Sequence, residues 1–178
     1  AIPSAAQTAR RGTETMNELS APRRGRLKKV IAEFSHSAPS IQKNIWSMDA
    51  GLIGVKFPNQ FDAILVDAPC SSERHLVHDP KELETWSVKR TKSLAQRQYR
   101  LLCSAYLACK IGGYVLYSTC SISPYENEEV IDKLITKKSL EVVFLKNSNA
   151  QTMKYGVFFL PHESGFGPMY SCLLRKVN

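Results

Sequence analysis

The sequence predicts an α/β domain whose sheet is mostly parallel, doubly wound, and finished by an antiparallel strand. Three observations predict it. Apolar runs that read as buried strands alternate with helical stretches along the chain. Two of those runs, Phe61-Asp62-Ala63-Ile64-Leu65-Val66 and Gly113-Tyr114-Val115-Leu116-Tyr117, are joined by one long helical stretch, and such crossovers connect parallel neighbours. Two late strands, Gly156 to Leu160 and Met169 to Arg175, close the chain. With 178 residues, 43% of them hydrophobic, the chain suits one domain spanning residues 1–178.

The elements follow in order. Ser4 to Arg11 reads as the end of a helix, with Gly12 as its C-cap. Thr13 to Asn17 is a short strand, and Ser20 can cap a helix from Pro22 to about Phe34. Leu27, Val30, Ile31 and Phe34 recur at helical spacing on that helix. Ile41 to Met48 is the next strand, Asp49-Ala50-Gly51 the turn after it, and Pro58-Asn59-Gln60 the loop before the Phe61 strand. Ser71 to about Ser87 is polar and reads as a loop with a short helical piece. A helix from about Lys89 to Lys110 carries Leu94, Leu101, Leu102, Ala105 and Cys109 on one face and ends at Gly112-Gly113. Ser123-Pro124-Tyr125-Glu126 has the form of a capping box opening a helix to about Lys137. Glu141 to Leu145 is a further strand.

The net charge of +8 points to an anionic partner, nucleic acid first. The charge clusters on two predicted helices: Arg23, Arg24, Arg26, Lys28 and Lys29 on one, Lys89, Arg90, Lys92, Arg97 and Arg100 on the other. No apolar run approaches the roughly 18 residues that cross a bilayer, and no charged start precedes an apolar block, so no membrane partner is expected. The five cysteines are odd in number and lack zinc-ligand spacing, which argues against a disulfide framework and for a reducing compartment.

Both apolar runs close on cysteine tetrads, Asp67-Ala68-Pro69-Cys70 and Ser118-Thr119-Cys120-Ser121. Parallel neighbours lie about 4.8 Å apart, so both thiols emerge at the carboxyl edge of one sheet, where open α/β folds bind ligands. Glu18, Asp49 and Asp67 stand at, or just after, the ends of successive strands and would line the same edge. A carboxylate at the second strand's end can accept both hydroxyls of a ribose, and the next can accept from an adenine amino group. A Cys120 thiolate can add to C6 of a cytosine and make C5 electron-rich enough to take an electrophilic methyl group. Asp67 is placed to stabilise the adduct near N3, and Cys70 to help remove the C5 proton. Cys103, Cys109 and Cys172 read as small buried hydrophobes.

Val66-Asp67-Ala68-Pro69-Cys70-Ser71-Ser72 and Tyr117-Ser118-Thr119-Cys120-Ser121 resemble the two signature loops of the Sun/Nop family of RNA cytosine-C5 methyltransferases. Asn127-Glu128 after Pro124, Asn17-Glu18-Leu19-Ser20 before an Arg-rich helix, and Asp49 after a strand also fit, so the resemblance runs from about Ala5 to Lys176. It implies a Rossmann-like S-adenosylmethionine-dependent methyltransferase fold. In it Cys120 is the covalent nucleophile, Cys70 the release thiol and Asp67 close to both cofactor and base, with Glu18 and Asp49 holding S-adenosylmethionine. The family's first strand and its glycine-rich loop have no counterpart here, so the resemblance implies a domain that is N-terminally incomplete, with that central strand supplied from elsewhere or the sheet repaired. Ile111 stands for a frequent Pro and Ala50 for a frequent Gly, both small departures.

Gly167-Pro168-Met169-Tyr170 before Cys172 looks most like the mitochondrial ribosomal-RNA member. That narrower resemblance implies a ribosomal RNA substrate, the mitochondrial matrix (with cytosol or nucleolus as the alternative), and a helical-repeat partner of the mitochondrial termination-factor family or an assembling ribosomal subunit. The alternative is a methyltransferase-like scaffold that binds RNA or protein in ribosome assembly without using the cofactor.

Overall fold

The structure, a computed structural model, describes residues 12–34, 41–71, 87–165 and 167–178. The expected helix at Ser4–Arg11 and most of the Ser71–Ser87 loop lie outside them. The chain divides into two compact units, Ala1–Ala50 and Gly51–Asn178.

In the first unit β1 (Gly12–Asn17) and β2 (Ile41–Trp46) pair in parallel, Gly12 opposite Ile41 and Asn17 opposite Trp46. Between them in sequence lies α1 (Ala21–Phe34). Gly12 is therefore a strand residue and not a helix cap: its backbone joins the ladder opposite Ile41. On α1 Leu27 and Ile31 are half-buried while Val30 and Phe34 are 51% and 65% exposed, so only part of the expected apolar face turns inward.

After a 3-10 turn at Ala50–Leu52 comes a single helical turn of the second unit, α2 (Ile53–Lys56). Four residues are too few to show a period in sequence. Their placement rests on Gly54, whose N–H donates to Ser104 Oγ at 2.9 Å and whose missing side chain lets the backbones close. Then come β3 (Phe61–Asp67), α3 (Val88–Ala108), β4 (Cys109–Thr119), a 3-10 turn at Pro124–Glu126, α4 (Glu128–Ile135), β5 (Leu140–Val143), β6 (Gln151–Thr152), β7 (Val157–Phe159), a short helix at Pro161–Ser164 and β8 (Met169–Lys176).

These strands form one six-stranded sheet. β3 pairs with β4 in parallel, as the crossover predicts, and among the described residues β4 is its only partner. β8 runs antiparallel to β4 on one edge and to β5 on the other, so β3, β4 and β5 share one direction and the C-terminal strand opposes them. β7 also pairs with β8, and β6 with β7, both antiparallel.

The junction of α3 and β4 differs from the sequence expectation. α3 stops at Ala108: Cys109 takes an extended conformation (φ −72°, ψ 137°) and pairs opposite Phe61, so Cys109 and Lys110 belong to β4. Register then slips between Phe61 and Ala63, and Gly112 absorbs the irregularity at φ +79°, which a side chain would resist. The carbonyls of Leu107 and Ala108, left over at the helix end, accept from Asn59 and Gln60 N–H at 2.9 and 2.7 Å.

The core lies between the sheet and the helices α3 and α4. Val115, Tyr117 and Thr119 on β4, and Tyr170, Cys172 and Leu174 on β8, are buried at every second residue. Leu102 and Ala105 of α3 and Val130, Ile131 and Leu134 of α4 pack with them. Each large apolar side chain so buried contributes about 1.5–3 kcal/mol.

Candidate active site

β3 and β4 end side by side, Asp67 opposite Ser118, and Ala68 N–H extends the ladder to Ser118 O at 3.0 Å. Just beyond, Cys70 Sγ lies 2.9 Å from Cys120 Sγ, a contact between residues 50 apart in sequence. Both thiols are half-buried. The expectation that the two loops bring their cysteines to one place is met by the geometry. Asp67, at the tip of β3, is exposed.

The residues after the two thiols, Ser71 and Ser121, are buried, and their hydroxyls lie 3.1 Å apart. Both reach the carboxylate of Glu126, which is itself fully buried. Ser71 N–H donates to Glu126 Oε2 at 3.0 Å, the Ser71 hydroxyl donates to Oε1, and the Ser121 hydroxyl donates to Oε1 at 3.2 Å. Gln98 Nε2, from the middle of α3, donates to Glu126 Oε2 at 2.6 Å and to Pro69 O at 2.9 Å. Gln98 Oε1 is buried with no hydrogen-bond partner among the described residues. Asn127 completes the frame: its Oδ1 accepts from Thr119 Oγ1 at 2.6 Å and its Nδ2 donates to Ser121 O at 2.8 Å.

The predicted capping box is not what forms here. Ser123 makes no side-chain cap bond, and Glu126 points into the protein instead of back to residue 123. Sequence reasoning missed Glu126 and Gln98. Gln98 did carry a signal: the fully buried face of α3 runs through Thr91, Gln98, Leu102 and Ala105, spacings of seven, four and three. A polar residue inside an apolar stripe marks a buried partner.

The remaining cysteines behave as core. Cys109 is fully buried, and burial pushes its thiol up. Cys172 Sγ donates to Tyr155 O at 3.2 Å, and burial pushes its thiol up to about 12. Cys103 is half-buried. Among the described residues no three His, Cys, Asp or Glu side chains are grouped to hold a metal ion.

In the first unit the carboxyl edge of β1 and β2 holds the other two expected residues. Asn17 Nδ2 donates to Met48 O at 3.0 Å and its Oδ1 accepts from Met48 N–H at 3.1 Å. That two-way bridge sets Glu18 and Asp49, each one residue further on, at adjacent strand ends. Glu18 Oε1 accepts Ser20 N–H at 2.7 Å, and its Oε2 lies 3.3 Å from Arg23 Nε. Asp49 is half-buried.

A sequence model described as "16S rRNA methyltransferase RsmB/F" matches residues 9–175. The chain belongs to the RsmB/F family. A ribosomal RNA small subunit methyltransferase F from Erwinia tasmaniensis is 32% identical over 97% of this chain. One from Shewanella woodyi is 46% identical over 49% of it. The chain spans 37% and 18% of these two relatives' lengths. Among solved structures, that of NSun6 from Pyrococcus horikoshii with SFG matches 92% of this chain and 41% of its own, with a TM-score of 0.78 and 23% identity. A methyltransferase homolog protein from Pyrococcus horikoshii matches 92% of this chain and 53% of its own, with a TM-score of 0.74 and 21% identity. The fold of this RsmB/F member is thus the Rossmann-like methyltransferase fold that the Sun/Nop resemblance implies.

Proposed function

We propose that this chain carries the catalytic thiols of an enzyme that transfers a methyl group to C5 of cytosine in RNA, with ribosomal RNA as the substrate class. The observation that carries the reading is the 2.9 Å contact of Cys70 and Cys120 at the ends of adjacent parallel strands, framed by buried hydrogen bonds while the thiols themselves stay half-buried. Membership of the RsmB/F family supports an S-adenosylmethionine-dependent reaction on ribosomal RNA.

Glu18 and Asp49 suit the nucleoside part of S-adenosylmethionine. Two carboxylates at adjacent parallel strand ends can accept from ribose hydroxyls and from an adenine amino group, and the Asn17 bridge holds both chain ends in place. When bound, the cofactor supplies the electrophilic methyl group. Cys120 Sγ, as thiolate, adds to C6 of the cytosine, and the bond's electrons make C5 the nucleophile that takes the methyl group. Cys70 then accepts the C5 proton, the C5–C6 double bond re-forms, and Cys120 leaves as thiolate. Asp67, exposed at the tip of β3, shares a proton with N3, which neutralises the negative charge that builds there.

Anion binding has a surface on each helix. Lys89, Arg90, Lys92, Arg97 and Arg100 are all exposed on α3, and α1 exposes Arg23, Arg26, Lys28 and Lys29. The mitochondrial reading, with a helical-repeat partner, rests on Gly167-Pro168-Met169-Tyr170 and is checked by where the tagged protein localises and what co-purifies with it.

The test is covalent trapping on RNA containing 5-azacytidine, with wild-type protein, Cys120→Ala and Cys70→Ala. Wild type forms an adduct that Cys120→Ala lacks, and Cys70→Ala accumulates one even on ordinary cytosine RNA. An adduct that survives Cys120→Ala would sink the assignment of the nucleophile. Calorimetry of S-adenosylmethionine binding, with Asp49→Ala as control, checks the cofactor residues.

A further inference from the structure

We propose that Glu126 is the positioning residue of this site: one buried carboxylate that holds both thiol loops at contact distance. The inference rests on reading Cys70 and Cys120 as the reacting pair. Its basis is the pattern of donors around a fully buried acid. They come from three separate places in the chain, 55, 28 and 5 residues away.

The bonds bracket each thiol. On the Cys70 side, Gln98 divides its amide between Pro69 O, just before the thiol, and Glu126, while Glu126 itself takes the N–H just after it. On the Cys120 side, Asn127 holds Thr119 and Ser121 O, while Glu126 takes the Ser121 hydroxyl. Glu126 is the member common to both brackets. Its own backbone carbonyl accepts from Tyr117 OH at 2.6 Å, which ties it to β4 as well.

A carboxylate only accepts, so every surrounding donor must point at it and the pattern has no mirror alternative. Its donors here are neutral, and burying a carboxylate among neutral groups is unfavourable unless hydrogen bonds offset the lost hydration. A simple helix start needs no such arrangement, because an exposed Ser or Asp serves. The arrangement makes sense if the quantity being controlled is the separation of the two sulfurs.

That separation can be read without RNA or cofactor. In exchange with glutathione, the Cys70–Cys120 dithiol plus oxidised glutathione gives the protein disulfide plus two reduced glutathione molecules, and the equilibrium constant reports how closely the thiols are held. The full chain is compared with Glu126→Ala, Ser121→Ala and Glu128→Ala, the linked pair being identified by peptide mapping. Glu128 is the control: it lies in the same segment but accepts from Tyr170 OH at 2.7 Å and Tyr155 N–H at 3.1 Å, partners that belong to neither thiol loop.

Losing bonds to a charged group loosens the pair by about tenfold in the exchange constant for Glu126→Ala and about threefold for Ser121→Ala. Glu128→Ala melts earlier but keeps the constant within about twofold. An unchanged constant in Glu126→Ala, or an equal fall in Glu128→Ala, overturns the proposal. If Glu126→Ala does not fold, an unchanged constant in Ser121→Ala overturns it. Failure of the methyltransferase reading shows separately, as a wild-type chain that forms no Cys120 adduct on RNA while the exchange constants still set Glu126 apart from Glu128.

Discussion

Oxidising the chain with a small disulfide should join Cys70 to Cys120 and raise the melting temperature of the second unit. The sulfurs stand 2.9 Å apart and need to close to about 2.05 Å, a movement of less than 1 Å that two χ rotations supply. The bridge would close a loop of 50 residues, for which chain entropy alone gives about 4 kcal/mol relative to the reduced chain. Allowing about 1 kcal/mol for native-state strain leaves roughly 3 to 4 kcal/mol. At about 2–4 °C per kcal/mol for a chain of this size, the midpoint rises by roughly 6–16 °C. The assay is a thermal melt of oxidised and reduced protein, with peptide mapping of the linked pair and reversal by a reducing thiol. Under the proposed function, methyl transfer should disappear in the oxidised form and return on reduction. A bridge to Cys103 in place of Cys120, or a correct bridge that lowers the midpoint, would refute the geometry on which the site is built.

Four more outcomes follow from other parts of the structure. Alkaline stability should fall steeply: burial raises Cys172 to about 12 and holds the Tyr117 and Tyr170 phenols well above their usual range, so above pH about 9–10 the unfolded chain releases protons that the fold keeps. Each such group removes about 1.4 kcal/mol per pH unit. Lys176, pulled down by burial, acts in the opposite sense below about pH 10.4. Denaturant titrations from pH 8 to 11 check the net slope, and tyrosinate absorbance for these two residues should appear only with unfolding. Gly54→Ala should cost about 3 kcal/mol, because the added Cβ would sit 2.1 Å from Ser104 O, a backbone atom that cannot swing away. Gly25→Ala on α1 meets nothing within 4 Å and should stabilise by about 0.5–1 kcal/mol, both read by urea unfolding. Asn17→Ala breaks the bridge to Met48 and should weaken S-adenosylmethionine binding about tenfold by calorimetry, with the Cys70–Cys120 exchange constant unmoved.

The parts of this protein that announce themselves in sequence are those where one physical rule acts alone. The strand–helix–strand crossover from Phe61 to Thr119 shows in its apolar runs, and with it the meeting of two thiols 50 residues apart. Helix ends are less legible because tertiary pairing decides them: Cys109 continues the helical pattern of α3, yet the chance to pair opposite Phe61 draws it into β4. The hidden part of the site is polar. Ser123-Pro124-Tyr125-Glu126 satisfies the local grammar of a capping box, and only the arrival of Ser71 and Gln98 from distant segments turns Glu126 inward. No local pattern encodes that choice, although Gln98 on the buried stripe of α3 hints at it.

The position of β8 has a consequence for how the molecule comes into being. Residues 170–175 pair with β4 on one edge, and on the other residues 173–176 pair with β5 and residues 169–171 with β7, all strands that leave the ribosome earlier in synthesis. Until this last strand arrives, β4 lacks its antiparallel neighbour and the ring of Tyr170 cannot meet Tyr117, an edge-on contact with centroids 6.3 Å apart. Ser118, two residues from Cys120, likewise waits for Tyr170 O. A nascent chain that has just delivered both cysteines therefore holds them on an unfinished sheet until β8 inserts beside β4.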